Sequence, residues 1–468
     1  MTITEKAMTA SVSDRRASGR EARKLVPRRS HGAWAPSGDR PDPIELLRTQ
    51  DDDRLQDLVP MRWGRMSASP FAFYRGSAAL MAADLAPAPR TGLTVQLCGD
   101  AHLSNFGLFA SPERTLLFDV NDFDETLPGP FEWDLKRLAA SFVLASRHNG
   151  FDEDVARETS LAAVRSYREH MMAYAEMREL DVWYSRVVAD DLLEMARTSS
   201  AAQRAPRSTA RAGVKRAKKL VAKARTRDSL QAAGKLTEAV DGSRRIIDLP
   251  PLVVHVEEWE QAERSFDLVN QYRATLQDDR RELFDRYRVV DMARKVVGVG
   301  SVGTRCLILL MLGRDADDPL FLQAKEAGSS VLEPFLGRSR FTHAGHRVVA
   351  GQRLMQAASD LFLGWMTGKP GGRHYYWRQL RDMKGSIDID TLKPSGLEIL
   401  ATMCGWALAR GHARSGQRIA IAAYLGVSDR FDQAIADFAE SYADQAEKDY
   451  ATVLKAIKKG KIPAESGI

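Results

Sequence analysis

Two polar stretches decide how this sequence is interpreted, CGDAHLSNF at residues 98–106 and FDVNDFDE at residues 118–125. Each lies at the end of a short apolar run that is typical of a buried strand, over residues 93–98 and 116–120. Together they place six polar side chains at or just beyond strand ends: Asp100, His102, Asn105, Asp119, Asp122 and Asp124. Because acidic groups in neighbouring loops repel one another and are costly to bury, such a cluster calls for a neutralising partner.

A divalent cation is the usual neutralising partner of such a cluster. Magnesium prefers oxygen ligands, commonly one or two carboxylates together with phosphate oxygens and water. The pattern therefore predicts that Asn105 and Asp122 bind magnesium, which leaves the Asp100 carboxylate free to act as a base. The competing interpretation is that the Asp and Asn side chains stabilise turns and that His102 is a hydrogen-bonded core histidine.

A glycine-rich stretch, VGVGSVG at residues 297–303, has the spacing G-x-G-x-x-G at Gly298, Gly300 and Gly303. The aliphatic run that follows favours a strand, whereas a dinucleotide-binding fold needs a helix there. A glycine loop between two antiparallel strands, followed by a third strand that carries a lysine, is the other known use. The predicted lysine is Lys325 in FLQAK, with its stem packed and its ammonium presented to one side. The competing interpretation is a glycine-rich turn and an edge-strand lysine.

The order of predicted elements suggests one β-rich section inside a mostly helical protein. Strands are predicted at 293–297, 304–312, 320–325 and 375–380, with a helix at about 347–363 between the last two. Four regions follow from this order: 1–40, a disordered basic tail; 41–284, a helical lobe with the catalytic and metal loops; 285–385, a β-rich nucleotide lobe with the glycine loop; and 386–468, C-terminal helices that complete the helical lobe.

Charge is distributed unevenly along the 468 residues. The formal net charge is +6, yet residues 201–227 contain ten basic and no acidic side chains, so the body of the protein is not basic. A uniformly basic nucleic-acid binder is therefore disfavoured. The basic helix expected at about 210–225 is either a solvated face or an anion-binding lid over an acceptor site. No apolar run is long enough to span a membrane, and three scattered cysteines predict no disulfide framework, so we expect a cytoplasmic protein.

These residues together resemble the protein-kinase-like superfamily, in its small-molecule branch of aminoglycoside and choline phosphotransferases. GDAHLSN at 99–105 resembles the catalytic loop G-D-x-H-x-x-N of that branch, and Asp122-Phe-Asp124 resembles the metal-binding segment that follows. Asp134-Leu135 resembles the Asp-Leu of the next helix. From about residue 60 the chain also resembles the uncharacterised bacterial family called domain of unknown function 2252, in the stretches FYRG (73–76), GQRLMQ (351–356) and RQLRDMK (378–384).

The resemblance implies a two-lobed α+β fold of the kinase-like type, mostly helical with one small antiparallel sheet lobe. It implies a phosphotransferase that uses ATP and Mg²⁺ on a small hydroxylated acceptor, with Asp100 as catalytic base and Asn105 and Asp122 as metal ligands. Lys325 and the loop of Gly298, Gly300 and Gly303 would bind the nucleotide, with His102, Asp124 and Asp134 as supporting residues. Apart from the resemblance, Arg75 is either an ordinary helix-surface arginine or a supporting contact to phosphate or acceptor. Kinases place the glycine loop before the catalytic loop, whereas here it follows; a circular permutation accounts for this order.

Three alternatives stay open at the level of sequence. The same fold can transfer a nucleotidyl group, and a pseudokinase would hold nucleotide and regulate a partner without turnover. A metal-dependent hydrolase would use Asp100 and His102 as ligands, but the other histidines lack a partner spacing. The permuted-kinase interpretation makes a geometric prediction: Lys325, Asp122, Asn105 and Asp100 share one pocket, where the ammonium charge lowers the pKa of Asp122. Glu333, Gln352 and Gln356 are the candidates for orienting Lys325, none of them convincing.

Overall fold

The computed structural model of the chain describes residues 10–198, 203–204, 207–227, 229–240, 243–255, 262–368, 372–380 and 383–465. It is a mixed α+β fold with one six-stranded antiparallel sheet, three two-stranded sheets and extensive helical packing. The helices are α1 (Val12–Leu25), α2 (Pro43–Arg48), α3 (Val59–Met66), α4 (Pro70–Arg75), α5 (Ala78–Leu85), α6 (Phe131–His148), α7 (Glu153–Glu176), α8 (Glu179–Tyr184), α9 (Ala189–Thr198), α10 (Arg207–Arg225), α11 (Ser229–Leu236), α12 (Ala262–Arg273), α13 (Asp278–Phe284), α14 (Glu333–Leu336), α15 (Ala344–Met355), α16 (Pro394–Ser415), α17 (Arg418–Leu425) and α18 (Arg430–Lys458). The strands are β1 (Thr94–Leu97), β2 (Phe106–Ala110), β3 (Leu116–Val120), β4 (Leu127–Pro130), β5 (Thr237–Val240), β6 (Ser243–Ile246), β7 (Val253–Val254), β8 (Arg288–Lys295), β9 (Cys306–Leu312), β10 (Pro319–Ala327), β11 (Gly364–Thr367) and β12 (His374–Gln379).

The six-stranded sheet has the order β11-β12-β10-β9-β8-β7, and every pairing in it is antiparallel. Aliphatic residues fill β9 (CLILLML) and the first half of β10, which suits strands buried on both faces. The glycine-rich stretch connects β8 to β9, and Lys325 lies on β10 opposite Cys306 on one side and Tyr376 on the other. The three strands around the glycine loop are thus in the predicted arrangement.

The two faces of this sheet are different, because side chains alternate along each strand. Helices α12 and α13 cover one face, where Tyr272 stacks on Trp377 and Leu309 and Leu322 are buried beneath them. The opposite face is apolar at one end, around Phe321, and polar at the other end. Lys325 and its strand neighbours therefore project from the polar end of that second face.

The helical part is centred on α6, whose residues are buried almost all round. It packs against α7 and α18, and α7 packs closely along α16. A Cβ at Gly405 of α16 would collide with the Ala163 carbonyl oxygen of α7, so this close approach requires glycine. The loops that carry the predicted site emerge from strands β1 and β3, immediately beside this helical core.

The prediction that residues 1–40 form a disordered tail is wrong for the part of this segment that the structure describes. Helix α1 begins with a capping box between Ser11 and Asp14 and packs on α17, with Gly19 and Ala22 buried. Arg23 adds a hydrogen bond of 2.7 Å from Nε to the Tyr424 carbonyl oxygen. The buried face is made of small residues, so the sequence shows no apolar period there. Residues 1–9 lie outside the described part.

Two further boundaries differ from expectation. The helix predicted at 347–363 is α15, which begins at Ala344 and ends at Met355. The six-stranded sheet already includes β7 at Val253–Val254, ahead of the predicted start of the β-rich section at 285. Within the described residues, no helix combines the length and the apolar character needed to cross a lipid bilayer.

Candidate functional site

The loop after β1 is held in one shape by its own hydrogen bonds. Gly99 has a φ of +88°, and the Glu125 carbonyl oxygen lies where a Cβ would be, so only glycine fits. The amide of His102 and the side-chain amide of Asn105 both donate to the Asp100 carbonyl oxygen, each at 2.8 Å. Among the residues that the structure describes, no hydrogen bond reaches the Asn105 Oδ1 oxygen, so this atom suits a metal-binding role.

Asp134 fixes the loop from below. Its two carboxylate oxygens accept hydrogen bonds from the backbone amides of Cys98 (2.8 Å) and Gly99 (3.0 Å). Asp134 is buried at the first turn of α6, and His412 Nε2 lies 3.3 Å from its Oδ2. The predicted supporting residue Asp134 thus positions the loop through the backbone.

The Asp100 carboxylate is oriented by a residue that the sequence did not point to. Arg137 Nε donates to Asp100 Oδ1 at 2.6 Å, and His102 Nε2 lies 3.7 Å from Oδ2. Burial raises the pKa of Asp100 above its ordinary value; the Arg137 charge opposes this rise and the nearby Asp122 carboxylate adds to it. The carboxylate is still 22% exposed, so a substrate can reach it.

His102 is a buried and neutral histidine. Burial, reinforced by the charges of Arg75 and Arg137, holds its pKa well below the ordinary value. Its Nδ1 atom is buried and has no hydrogen-bond partner in the described part of the chain. The sequence-based alternative of a fully hydrogen-bonded core histidine is therefore wrong for this nitrogen.

The second polar loop meets the six-stranded sheet. Lys325 Nζ lies 2.9 Å from Asp124 Oδ2 and 3.3 Å from Asp122 Oδ2. Tyr376, which pairs with Lys325 across β10 and β12, donates its hydroxyl to Asp124 Oδ1 at 2.5 Å. The structure therefore brings the lysine of the glycine-loop strands to the predicted metal-binding segment.

The electrostatics of this contact follow from burial and from the cations around it. Burial alone would raise the pKa of Asp122, but the charges of Lys325 and Arg378 outweigh it and hold the pKa of Asp122 below its ordinary value. The predicted direction for Asp122 is thus confirmed. Burial and the Asp122 charge raise the pKa of Asp124, and the two carboxylates raise the pKa of Lys325 against the opposing effect of burial.

Two arginines tie the backbone of the acidic loop to the sheet side. Arg378 donates to the Asn121 carbonyl oxygen at 2.7 Å, and Arg347 of α15 donates to the carbonyl oxygens of Thr126 (2.7 Å) and Asp124 (2.8 Å). Burial, reinforced by the charge of Arg378, lowers the pKa of Lys384 to about 7. Cations therefore surround the acidic loop on the sheet side.

The glycine loop packs against the N-terminal helices through its carbonyl groups. Arg65 donates to the Gly298 carbonyl oxygen at 2.7 Å, and the Leu55 amide donates to that of Gly303 at 2.8 Å. Gly298 and Gly303 have positive φ angles of +70° and +87°. Among the described residues, no hydrogen bond uses the amide N–H groups of Gly298, Gly300 or Gly303. The loop thus keeps donors free for a ligand.

Arg75 connects the glycine loop with the catalytic loop. A Cβ at Gly300 would lie 3.3 Å from the Arg75 carbonyl oxygen, so the loop rests on the backbone of Arg75. The Arg75 guanidinium charge in turn acts on both Asp100 and His102. The predicted residue Arg75 is therefore placed between these two loops and is not an isolated surface arginine.

None of the three residues that the sequence suggested for orienting Lys325 pairs with it. Glu333 accepts a hydrogen bond from the Ser330 amide, and Gln352 donates to Gln356, which in turn donates to the Val120 carbonyl oxygen. Asp124 takes this role instead.

One other missed residue, Arg137, could have been found from local periodicity. Arg137 lies one helical turn after Asp134, so both reach the same loop. Tyr376 and Arg378 lie on the same side of β12 as Lys325, which only the register of β12 against β10 reveals.

The oxygen atoms of the two predicted metal ligands fit the ligand preference of a magnesium ion. Asp122 and Asn105 offer oxygen atoms, and the Asn121 amide donates to the Asn105 carbonyl oxygen at 2.8 Å, which joins the two loops. Asp122 is 28% exposed and so accessible to a ligand. Across the described residues, no group of three or more His, Cys, Asp or Glu side chains is arranged to hold a metal ion.

The fold and the site define an α+β protein in which a sheet-borne lysine meets an acidic loop of a helical core. A family model described as an uncharacterised protein conserved in bacteria, domain of unknown function 2252, matches residues 54–456. The chain belongs to this family. No curated protein and no solved structure matches the chain.

Proposed function

We propose that the protein is a Mg²⁺- and ATP-dependent phosphotransferase with a circularly permuted kinase-like fold, acting on a small hydroxylated acceptor. The observation that carries the proposal is the contact of Lys325 with Asp122 and Asp124. In kinases the glycine loop joins the first two strands, and a lysine on the third strand and a metal-binding aspartate face the same triphosphate. Here the same residue types meet although their order in the chain is reversed.

The glycine loop supplies the second part of a nucleotide site. It joins two antiparallel strands, and Lys325 lies on the strand that follows. The unused amide groups of Gly298, Gly300 and Gly303 are suited to phosphate oxygens, because successive backbone N–H groups form anion-binding nests. Lys325 would pair with nucleotide phosphate, while Asp124 and Tyr376 orient its ammonium.

The catalytic loop supplies the acceptor side of the reaction. Asp100 would accept the proton of the acceptor hydroxyl, and its raised pKa brings it closer to that task than an ordinary aspartate. Arg137 keeps the carboxylate in place. Asn105 and Asp122 would hold Mg²⁺, which neutralises charge on the phosphate oxygens when bound. Catalysis would consist mainly of positioning and electrostatic stabilisation.

A nucleotide-binding pseudokinase is the main alternative to an enzyme. The lack of a recognisable glutamate partner for Lys325 favoured it at the level of sequence. The Lys325–Asp124 pair, anchored by Tyr376, removes that argument, because it gives the lysine a carboxylate partner from another part of the chain. We therefore favour a catalytically active protein.

The test of the proposal is nucleotide binding followed by label transfer. ATP with Mg²⁺ should raise the melting temperature, since a ligand at one hundred times its Kd stabilises the native state by about 2.7 kcal/mol. Incubation of the protein with cell extract metabolites and ATP labelled at either the α or the γ phosphate then separates the reactions. Transfer of the γ label supports phosphotransfer, and transfer of the α label indicates nucleotidyl transfer. No stabilisation by ATP, ADP or GTP with Mg²⁺ or Mn²⁺ would contradict both the enzyme and the pseudokinase.

A further inference from the structure

A cleft separates the basic helix α10 from the segment that leads into helix α16. Its volume is about 570 Å³, a size typical of small-molecule sites. One wall comes from α10, with Leu192 and Ala196 of α9 behind it, and the other from residues 385–400. The basic stretch of the sequence is therefore one side of a concave site and not a free surface helix.

The inside of the cleft is apolar. Leu220 and Ala217 of α10 face Ile387, Leu392 and Ile399 across it. Four of these side chains are only partly buried by the protein itself, whereas Ile399 is a buried member of the main core. A ligand with an apolar body would cover them and gain the corresponding hydrophobic free energy.

The rim of the cleft is strongly cationic. Five basic side chains line it, and one acidic side chain, Asp388, is found among the described lining residues; the five are Arg216, Lys219, Lys223, Arg227 and Lys393. Within the described part of the chain, none of the five forms a salt bridge. Arg216 and Arg227 instead donate to the carbonyl oxygens of Thr391 and Lys384, at 3.2 and 3.1 Å.

We propose that this cleft binds a small organic phosphate with an apolar body. Lysines and arginines that have no carboxylate partner among the described residues, placed around an apolar floor, match an amphiphile with an anionic head. The excess of five cations over one carboxylate favours a head with more than one negative charge, which a phosphate monoester provides and a carboxylate does not. The proposal concerns binding and does not depend on the phosphotransferase activity proposed above.

Two macromolecular ligands fit this cleft less well. Single-stranded nucleic acid binds by stacking on aromatic side chains, and none of the described lining residues is aromatic. A membrane-binding helix keeps an apolar face exposed, whereas Val221 and Ala224 of α10 are buried against the protein. A small molecule that enters the cleft is therefore favoured over either surface.

The cleft is close in the fold to the candidate catalytic loop. Gly385 lines it, and this residue exchanges two backbone hydrogen bonds of 2.9 Å with Leu108. Leu108 lies on β2, the strand that begins directly after Asn105. A ligand in the cleft would thus sit behind the strand that supports Asn105.

The test is calorimetric titration of the full chain with hexyl phosphate, inorganic phosphate and hexanol. We expect hexyl phosphate to bind at least about tenfold more tightly than inorganic phosphate or hexanol, because only hexyl phosphate engages both the apolar floor and the cationic rim.

Two double variants test the cationic rim. In Lys219→Glu with Lys223→Glu, the affinity for hexyl phosphate should fall at least about tenfold. The matched control, Lys215→Glu with Lys218→Glu, makes the same charge change at exposed positions of α10 outside the cleft, and should stay within about threefold of wild type because such charges are screened.

Three results would overturn the proposal. Hexyl phosphate could bind no more tightly than inorganic phosphate, or not at all. Both double variants could lose affinity equally, which would indicate a diffuse charge effect. Alternatively, phosphatidylserine vesicles or a single-stranded RNA oligomer could bind wild type and lose at least about tenfold in affinity in the Lys219→Glu, Lys223→Glu variant, while hexyl phosphate does not bind. Circular dichroism melts of all variants establish that each remains folded. A further variant, Ala217→Phe, narrows the apolar floor, so it should bind hexyl phosphate no more tightly than inorganic phosphate.

Discussion

The ammonium of Lys325 lies 3.3 Å from the carboxylate of Asp122, although 203 residues separate the two in the chain. One group belongs to the central sheet and the other to a loop beside the helical core. Closing a loop of that length costs conformational entropy, so other interactions must hold the two parts together. Arg347 and Arg378 do so by binding backbone carbonyl groups of the acidic loop.

Replacing Asp100 by Asn tests whether this carboxylate is the base. The substitution keeps the shape and an acceptor for Arg137 but cannot take up a proton. We expect nucleotide affinity close to that of wild type and turnover lower by at least about 10²-fold, the smaller end of what a general base contributes. Single-turnover assays with labelled ATP measure this, with the exposed Asp279→Asn as control. Full turnover in Asp100→Asn would exclude Asp100 as the base.

Replacing Asp122 by Asn tests the metal role. Without Mg²⁺, ATP should bind the variant at least as well as wild type, because one negative charge facing the phosphates is gone. The gain in affinity on adding Mg²⁺ should largely disappear, since the ligand carboxylate is missing. Titrations of ATP with and without Mg²⁺ on both proteins give the two numbers. An unchanged magnesium effect in Asp122→Asn would place the metal elsewhere.

The two polar loops and Lys325 were predictable, and so was Arg137 from its spacing after Asp134, whereas the partners of Lys325 were not. The loops are recognisable in the sequence because carboxylates accumulate at strand ends. Lys325 is recognisable because it lies on the second strand after a glycine-rich turn. Tyr376 and Arg378 depend on the register of β12 against β10, which no local pattern reports. Asp124 as the partner of Lys325 depends on a contact between distant parts of the chain.

The first helix and the end of helix α15 were less predictable still. Helix α1 buries Gly19 and Ala22 against α17, and small residues leave no hydrophobic period in the sequence. Helix α15 ends at Met355, eight residues before its predicted end, because Gln356 leaves the helix and donates to the Val120 carbonyl oxygen. In both places a tertiary contact decides the local structure.

Tyr376→Phe tests the orientation of Lys325 through Asp124. The ring is kept, but Asp124 loses a hydroxyl donor at 2.5 Å. A hydrogen bond to a charged group contributes about 1.5–3 kcal/mol, so the free energy of unfolding should fall by about that amount. Affinity for ATP with Mg²⁺ should fall as well, because the lysine is less well held. Urea unfolding and calorimetry measure the two effects, and the exposed Tyr184→Phe serves as control. Unchanged stability would mean that the Tyr376 hydroxyl is dispensable.

Glu125 lies next to this site and is an acid whose pKa is strongly raised. Burial raises the pKa of Glu125 to about 7, although the Arg347 charge and a hydrogen bond of 2.7 Å from the Val331 amide oppose the rise. A carboxyl group whose pKa is higher in the folded than in the unfolded protein binds its proton more tightly when folded. It therefore destabilises the folded state increasingly as pH rises from its unfolded value toward 7.

Glu125→Gln should consequently flatten the dependence of stability on pH. The amide resembles the protonated acid and can still accept from the Val331 amide, but it never ionises. Between pH 5 and pH 8, the free energy of unfolding of wild type should fall relative to that of Glu125→Gln, with most of the divergence complete near pH 7. Urea unfolding at four pH values in this range measures the difference, and Glu113→Gln, at a carboxylate whose pKa is lowered by its hydrogen bond to Ser111, provides a control without this divergence. Parallel curves for wild type and Glu125→Gln would show that Glu125 is ionised throughout and that its burial is compensated by Arg347.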